Sequence, residues 1–210
     1  NFNGIESYMS YTTQEHNFGE ASINNYTGNL TVTYNVANTV GGTFPAQLYL
    51  VYNTTNVELN DDYGYGLGIK PNYIQTLEKE LIDETELLKY LDEDGTVHYF
   101  QREILDHTEE GIVYSDKYYD EDGLELSIEH KEDYYEMTDK YNSSYKFLKH
   151  IVNNNEIYYL EELKNVDGKI INIQFDNERR ITKIIDSTNQ EINITYENNK
   201  IVFNSPHFET

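Results

Sequence analysis

Two acidic segments come nearest to a chemical site in this sequence. Residues 92–95 and 120–123 share the pattern Asp-x-Asp-Gly. Closely spaced carboxylates can bind Ca²⁺ through oxygen, but an EF-hand loop needs further ligands and a glutamate at its twelfth position. The alternative is a solvated turn, in which aspartate tolerates the bend and glycine the positive φ. We expect solvated turns, little effect of Ca²⁺ and no metal site.

The sequence motifs of the common catalytic sites are missing from the 210 residues. There is no cysteine, no HExxH and no GxSxG. The six histidines show no pairing at i, i+2 or i, i+4 that would predict a metal site; they stand at positions 16, 98, 107, 130, 150 and 207. Carboxylate pairs are numerous, but a glycosidase needs a separation of about 5 to 10 Å, which is a property of the fold. We predict a protein that is not an enzyme and has no catalytic, cofactor-binding or metal-binding residue.

A glycine cluster raises the question of phosphate binding. Gly64, Gly66 and Gly68 alternate with other residues, but they do not form the GxGxxG motif. We expect no helix or basic residue to stand ready to meet an anion there. We expect this segment to be a tight, irregular connection.

Composition limits the classes of partner and compartment. The net charge of −23 argues against a nucleic-acid partner, because phosphate binding depends on clustered Lys and Arg. The longest compact apolar run, residues 48–52, is far shorter than a membrane span of about 20 residues, so no membrane insertion is expected. The start lacks a basic region followed by an apolar stretch, so the protein is cytosolic or its secretion signal lies outside these residues.

Charge divides the chain into three compositional zones within one expected domain, residues 1–210. Zone one, residues 1–69, is poor in charge, and the first Lys or Arg is Lys70. Zone two, residues 70–164, holds 25 Asp or Glu against 10 Lys or Arg. Zone three, residues 165–210, contains a repeat. The 21 Tyr and 8 Phe favour strands over helices throughout.

Zone one predicts strands. In GNLTVTYNV the apolar residues Leu30, Val32 and Tyr34 alternate with polar ones, which is typical of a half-buried strand. The run after Pro45 predicts a more deeply buried strand.

Zone two contains a conflict between helix and hairpin at residues 77–91. The segment is rich in helix formers, and its leucines recur at spacings compatible with a helical stripe. Alternatively, Asp83-Glu84-Thr85 can turn between two strands that lead toward the run TVHYF. There we expect His98 to face solvent or to bond to a neighbour.

Zone three repeats itself after about 20 residues. Phe175-Asp176 and Tyr196-Glu197 are 21 residues apart, and a basic residue with an isoleucine follows each pair. Such a unit cannot bury its apolar face alone and must stack on its neighbours. We expect the aromatic rings and the isoleucines Ile181 and Ile201 to be buried, and the two acids to be exposed.

The repeat resembles the tyrosine-aspartate (YD) repeat of RHS proteins. FDNERRITKIID keeps Phe175, Asp176, Arg180 and Asp186, with Arg179 where glycine is usual, and YENNKIVF is a weaker copy. NNYTGNLTVTYNV, LYLVYN, YGYGLG and YLDEDGTVHYF are similar to the segments that open such shells. The resemblance spans residues 24–203 and is weakest over 103–165.

The resemblance implies a structural scaffold. It implies an all-β, mostly antiparallel, hairpin-built curved sheet that forms the open amino-terminal part of a shell, in a secreted or cell-surface bacterial protein. RHS shells occur in insecticidal toxin complexes, teneurins and polymorphic toxins, and many bacterial ones enclose a C-terminal toxin. The implied partners are the rest of that shell and the enclosed domain. The alternative is an adhesin or carbohydrate-binding β module with a protein or glycan ligand, which would be a closed sandwich with a concave aromatic face.

Overall fold

The computed structural model of the chain describes residues 11–16, 19–24, 30–40, 42–58, 62–120, 123–198 and 200–206. These residues form antiparallel strands almost throughout, which confirms the predicted all-β, mostly antiparallel fold. The first part of the chain contains β1 (Tyr11–His16), β2 (Gly19–Asn24), β3 (Leu30–Asn38), β4 (Gln47–Asn53), the short helix α1 (Thr54–Glu58) and β5 (Ile69–Pro71). The middle contains β6 (Thr76–Ile82), β7 (Thr85–Leu91), β8 (Val97–Thr108), β9 (Gly111–Asp120), β10 (Ser127–His130), β11 (Tyr134–Thr138), β12 (Ser144–Val152) and β13 (Asn155–Lys164). The last part contains β14 (Ile170–Phe175), β15 (Ile181–Ile185), β16 (Glu191–Glu197) and β17 (Lys200–Asn204).

The described chain divides into two compact units. Unit 1 holds the described residues of 1–74, 93–96 and 173–210, and unit 2 holds those of 75–92 and 97–172. Zones one and three, which differ in composition, therefore belong to the same unit. The acidic zone two supplies most of unit 2.

Residues 77–91 form a hairpin, which answers the question that the sequence left open. Every residue of β6 pairs with β7. Asp83 and Glu84 have φ values of 48° and 66°, as a two-residue type I′ turn requires. Leu81, which a helical stripe would bury, is 71% exposed. Pairing with neighbouring strands has outweighed the helix propensity of the segment.

The sheet of unit 2 closes on itself. Strands β6 to β12 lie side by side in chain order, and β13 pairs with both β12 and β6. Eight strands enclose an interior just wide enough for side chains to fill. The expectation of an open curved sheet did not include this closure. One hairpin is longer than the others, because β8 has 12 residues and β9 has 10.

Unit 1 contains two runs of neighbouring strands. Strands β1 to β5 follow one another in order, and so do β14 to β17, of which β14 belongs to unit 1 from residue 173 onward. The two strands predicted from zone one correspond to β3 and β4, and Leu48 and Val51 of β4 are buried.

A buried lysine ties two segments of unit 1 together. Lys70 is fully buried, and its Nζ donates to the carbonyl oxygens of Ile74 at 2.7 Å, Glu93 at 2.9 Å and Pro71 at 3.3 Å. Carbonyl acceptors offset part of the cost of removing an ammonium group from water. The first basic residue of the chain is therefore a structural anchor for residues 93–96.

One turn geometry recurs at Asp139, Asn165, Asp176 and Asp186. In each turn the first residue donates its N–H to the carbonyl of the fifth, and the fourth donates its N–H to the carbonyl of the first. The fourth residues all have positive φ; they are Asn142, Gly168, Arg179 and Asn189. This is the three-residue hairpin loop that ends in a left-handed residue.

The side chain of the first residue completes each turn. Oδ1 of Asp176 accepts the backbone N–H groups of Glu178 and Arg180, both at 2.9 Å. Oδ1 of Asp186 accepts those of Thr188 at 2.8 Å and Gln190 at 3.0 Å. Residues 165, 176 and 186 are ten or eleven residues apart, which is half the period seen in the sequence. The repeat of the sequence therefore consists of two successive turns.

The expectation that Asp176 is an exposed acid is wrong. Its side chain is 23% exposed, and Oδ2 accepts from Nε of Arg180 at 2.9 Å and lies 2.8 Å from a second nitrogen of that guanidinium. Arg180 in turn lies over the ring of Tyr196, with 4.3 Å from Cζ to the ring centroid. The Tyr196 hydroxyl hydrogen-bonds that of Tyr65 and donates to the carbonyl of Ile181 at 2.7 Å.

The predicted burial in zone three is confirmed in part. Ile181 is fully buried, whereas Ile201, Phe175 and Tyr196 are half-buried. Glu197 is exposed as expected, and it pairs with Lys200 at 2.8 Å across a two-residue loop. The second copy of the repeat thus lacks the three-residue turn of the first.

Replacing Asp176 by alanine should lower the free energy of unfolding by about 1 to 3 kcal/mol, because two backbone N–H groups and the Arg180 guanidinium lose their acceptor. Burial alone would raise the pKa of Asp176, but the hydrogen bonds from Arg180 hold it below its usual value. The stabilisation is therefore complete above the unfolded pKa of about 3.9 and is lost as the pH falls through the folded pKa. Urea unfolding of wild type and Asp176→Ala between pH 7 and pH 2 should show the difference shrinking in acid.

The matched control is Asn177→Ala, since Asn177 is an exposed residue of the same turn. Its effect should stay within about 0.5 kcal/mol at every pH. Equal effects of the two substitutions would contradict the role assigned to the Asp176 carboxylate.

Candidate functional site

Four hairpins of unit 2 share one side-chain arrangement on their first strand. They are β6–β7, β8–β9, β10–β11 and β12–β13. In each, a buried apolar residue stands two positions before a basic residue or histidine; the pairs are Leu77 and Lys79, Phe100 and Arg102, Ile128 and His130, and Phe147 and Lys149. The four apolar residues are at most 1% exposed.

The second strand of each hairpin is equally regular. A buried leucine or tyrosine lies directly opposite the basic residue or histidine; these are Leu88, Tyr118, Tyr135 and Tyr158. An acidic residue stands two positions earlier; these are Glu86, Asp116, Asp133 and Glu156. Unit 2 therefore contains the same hairpin four times.

Side-chain alternation explains why this arrangement builds a site. Residues i and i+2 of a strand point to the same face of a sheet, so the basic residues share the interior side with the buried residues beside them. Tyr135 packs edge-on against Tyr118 and Tyr158, with ring centroids 6.0 and 4.7 Å apart. The tyrosines form a floor, and the charged groups lie above it at the end of the barrel where the hairpin turns are. We call this end the barrel mouth.

Cross-strand ion pairs lie at the barrel mouth. Nitrogen-to-oxygen distances are 3.0 Å for Lys79 and Glu86, 3.4 Å for Arg102 and Asp116, and 2.9 Å for Lys149 and Glu156. Such partly exposed pairs contribute little to stability and exchange readily with water or a ligand. The fourth hairpin differs, because His130 stacks on Tyr135 with centroids 4.4 Å apart.

A cleft of about 350 Å³ opens at the barrel mouth. Its lining consists of Lys79, His130, Glu132, Tyr135, Lys149, Asn154, Asn155, Glu156 and Tyr158. These residues come from the β6–β7, β10–β11 and β12–β13 hairpins, so the repeated arrangement converges on one space. Clefts of this size accommodate small ligands.

The lining of the cleft balances two lysines against two glutamates, so it lacks the strong negative charge of the chain as a whole. Burial lowers the pKa of His130 below its ordinary 6.5, and the charges of Lys79, Arg102 and Lys149 lower it further, against the opposing effect of Asp116. His130 is therefore neutral at pH 7, and its pKa is lowered by three cations that stand on three different hairpins. These cations belong to a protein whose net charge is −23.

The hydroxyl of Tyr135 is a buried polar group at the bottom of the cleft. Tyr135 is fully buried, and its hydroxyl has no hydrogen-bond partner in the described part of the chain. Burial raises its pKa, and Tyr118 adds to the rise, so the group stays protonated. Leaving such a group unsatisfied costs about 1 to 3 kcal/mol.

The first acidic turn uses its oxygen atoms internally. Oδ1 of Asp94 accepts from the N–H and hydroxyl of Thr96 at 3.0 and 2.6 Å. The carbonyl of Asp94 accepts from Nδ2 of Asn53 at 2.8 Å. Asp92 contacts Nε2 of the buried His98 at 2.8 Å, so His98 bonds to a neighbour, as one of the two expectations had it.

The second acidic turn lies partly outside the described residues, because residues 121 and 122 are not among them. Gly123 has a φ of 73°, and Asp120 accepts the N–H of Leu124 through Oδ2. Within the described ranges no group of three or more His, Asp or Glu side chains is placed to hold a metal ion. The expectation of little Ca²⁺ dependence stays a prediction.

The glycine cluster forms an irregular connection, as expected. Gly64, Gly66 and Gly68 all have positive φ, and Oδ1 of Asp62 accepts the N–H groups of Gly64 at 2.8 Å and Gly66 at 3.3 Å. The backbone donors of the loop that point inward are thus bonded to a carboxylate.

Sequence reasoning missed the barrel mouth. Its signal is the tripeptide series LEK, FQR, IEH and FLK, but the four occurrences are separated by 23, 28 and 19 residues. An irregular spacing hides the repeat from a search for a fixed period. The search found the repeat of zone three instead, where the loops have nearly constant length.

Comparisons with known proteins find similarity to solved structures. The chain matches a solved structure of a Tc holotoxin pore from Photorhabdus luminescens with 15% sequence identity and a TM-score of 0.48, over 80% of this chain and 8% of that one. The chain thus spans less than a tenth of the length of the chain that it matches. No protein-family model and no curated protein matches the sequence.

Replacing Phe100 by alanine should lower the free energy of unfolding by about 3 to 5 kcal/mol, as for other large core residues, because the closed sheet cannot collapse around the cavity. Leu105→Ala is the matched control, since Leu105 lies on the same strand and is 62% exposed. It should change stability by no more than about 0.5 kcal/mol. Chemical denaturation measures both, and similar losses would show that β8 does not face a packed interior at Phe100.

Replacing Lys79 by glutamine should raise the pKa of His130, because one of the cations that disfavour the protonated imidazole is removed. An NMR titration of the histidine ring protons measures this. Lys146→Gln is the control: Lys146 lies on the outward face of β12, with Nζ 4.4 Å from the ring centroid of Tyr134. A wild-type pKa at or above 6.5, or a shift of equal size in both variants, would refute the convergence of charges at the barrel mouth.

Proposed function

We propose that this chain is a non-catalytic structural scaffold, an amino-terminal segment of an RHS-repeat shell that encloses or presents a C-terminal toxin or effector domain. The protein would be bacterial and secreted or displayed at the cell surface. The observation that supports the proposal is the turn shared by Asp176 and Asp186, in which the acid, the left-handed residue and the following strand coincide with the YD-type pattern.

The network around Arg180 gives that pattern a physical reason. The acid closes the turn and binds the guanidinium, and the guanidinium lies on the tyrosine of the next hairpin. Burial raises the pKa of that tyrosine, Tyr196, to about 12, so it stays neutral in the stack. The first copy of the repeat is thereby bonded to the second, which is the kind of contact that a shell built by repetition requires.

In this proposal the partners of the chain are the remainder of its own shell and the enclosed domain. Among the described residues, none of the helices is long and apolar enough to cross a membrane. Strand β17 lies at the end of the order β14 to β17, and its described pairing is with β16. In the scaffold, the next repeat would pair with its other side.

Hydrogen exchange tests the scaffold proposal. Backbone N–H groups of β17 that point away from β16 should exchange quickly in the 210-residue chain and become protected in a longer form of the protein that includes the residues after 210. N–H groups of β15, which has neighbours on both sides, serve as the control and should be protected in both forms. Equal exchange at β17 in the two forms would reject a continuing sheet.

A ligand-binding β module, an adhesin or carbohydrate binder at the cell surface, is the second candidate function. The cleft at the barrel mouth favours it, because a tyrosine floor beneath polar groups is suited to a small polar ligand.

A further inference from the structure

The barrel mouth has features that its role in the fold does not require. The interior of unit 2 is already filled by buried apolar residues beneath it. A closed barrel could end in solvent with any polar side chains. Instead, Lys79 of β6 and Lys149 of β12 line the same cleft. The buried Tyr135 lies beneath them.

We propose that the cleft at the barrel mouth binds a small, singly charged organic anion that carries hydroxyl groups, of the size of an acidic monosaccharide. The inference makes the second candidate function specific and rests on it. It does not depend on the scaffold proposal.

The positive groups decide the charge of the ligand. Lys79 and Lys149 each hold a partly exposed glutamate at the rim, and a carboxylate from a ligand can replace that partner without leaving either charge unpaired in the interior. The net charge of −23 repels large polyanions, so the ligand is small and carries few charges.

The hydrogen-bond acceptors of the cleft decide the rest of its chemistry. Asn154, Asn155, Glu132 and Glu156 line the same cleft and offer amide and carboxylate oxygens, which accept hydrogen bonds from hydroxyl groups. The flat face of His130, stacked on Tyr135, gives a sugar ring an aromatic surface.

The size of the space limits the ligand to about one ring. A volume of about 350 Å³ lies at the lower end of the range for small-molecule sites. A single hydroxylated carboxylate fits this space, whereas a long chain would have to leave through the rim between the hairpin turns.

Titration calorimetry with D-glucuronate, D-glucose and inorganic phosphate tests the proposal. Glucuronate should bind with a dissociation constant in the millimolar range or below, as expected for a ligand of this size. Glucose lacks the carboxylate and should bind at least about tenfold more weakly. Phosphate lacks the ring and its hydroxyl groups and should also be weaker; tighter binding of phosphate would show a simple anion site and overturn the proposal.

Two variants locate the site. Lys149→Gln should weaken glucuronate binding at least about tenfold, because a charge-assisted hydrogen bond is lost. Lys146→Gln, on the outward face of the strand that bears Lys149, should leave binding unchanged.

Circular dichroism of each variant confirms folding before binding is measured. The absence of glucuronate binding at about 10 mM, or binding that Lys149→Gln and Lys146→Gln weaken equally, would overturn the proposal. Ligand binding and exchange at β17 are measured on different residues. Failure at the cleft therefore leaves the scaffold proposal standing, and failure at β17 leaves the cleft to be judged by its own titration.

Discussion

The alternation of side chains in a closed sheet is the constraint on which unit 2 depends. Because β13 pairs with both β12 and β6, every second residue of the eight strands points inward. Such a residue must either fill the interior or lie at an end of the barrel, where the interior meets solvent. Tyrosine meets both demands, because its ring fills space and its hydroxyl is polar. The 21 tyrosines are a large part of the 38% of residues that are hydrophobic, and they supply much of the packed interior.

A second device occurs in both units, the turn that a side-chain oxygen completes; it begins at Asp139 and Asn165 in unit 2 and at Asp176 and Asp186 in unit 1. Aspartate or asparagine occupies the first position because its short side chain reaches the backbone N–H groups two and four residues on. Longer Glu197 stands before a two-residue loop instead. The fourth position needs positive φ, which glycine and asparagine adopt easily, and Arg179 adopts it at a conformational cost.

Much of the fold was predictable, and the candidate site was not. Alternation identified β3 and β4, and the repeat of zone three identified the turns, because both signals are local. The sequence left residues 77–91 open between helix and hairpin. The segment is rich in helix formers, and the pairing with neighbouring strands that outweighs their propensity is not visible in the sequence. Asp176 was judged exposed, because a sequence does not show that Arg180 lies beside a ring. The barrel mouth depends on strand register, and the sequence does not show that register because its four hairpins recur at unequal spacings of 23, 28 and 19 residues.

The long β8–β9 hairpin shows which parts of unit 2 are free to change. Its register shifts between Arg102 and Ile104 and again before Asp106, yet Arg102 still faces Tyr118 as its counterparts do in the other hairpins. Register shifts on the turn side of Arg102 thus do not change the pairing on its interior side. In evolution such tips can lengthen, shorten or diverge while the barrel stays intact. In engineering, residues 109 and 110 offer a grafting point from which an inserted peptide would be displayed above the rim.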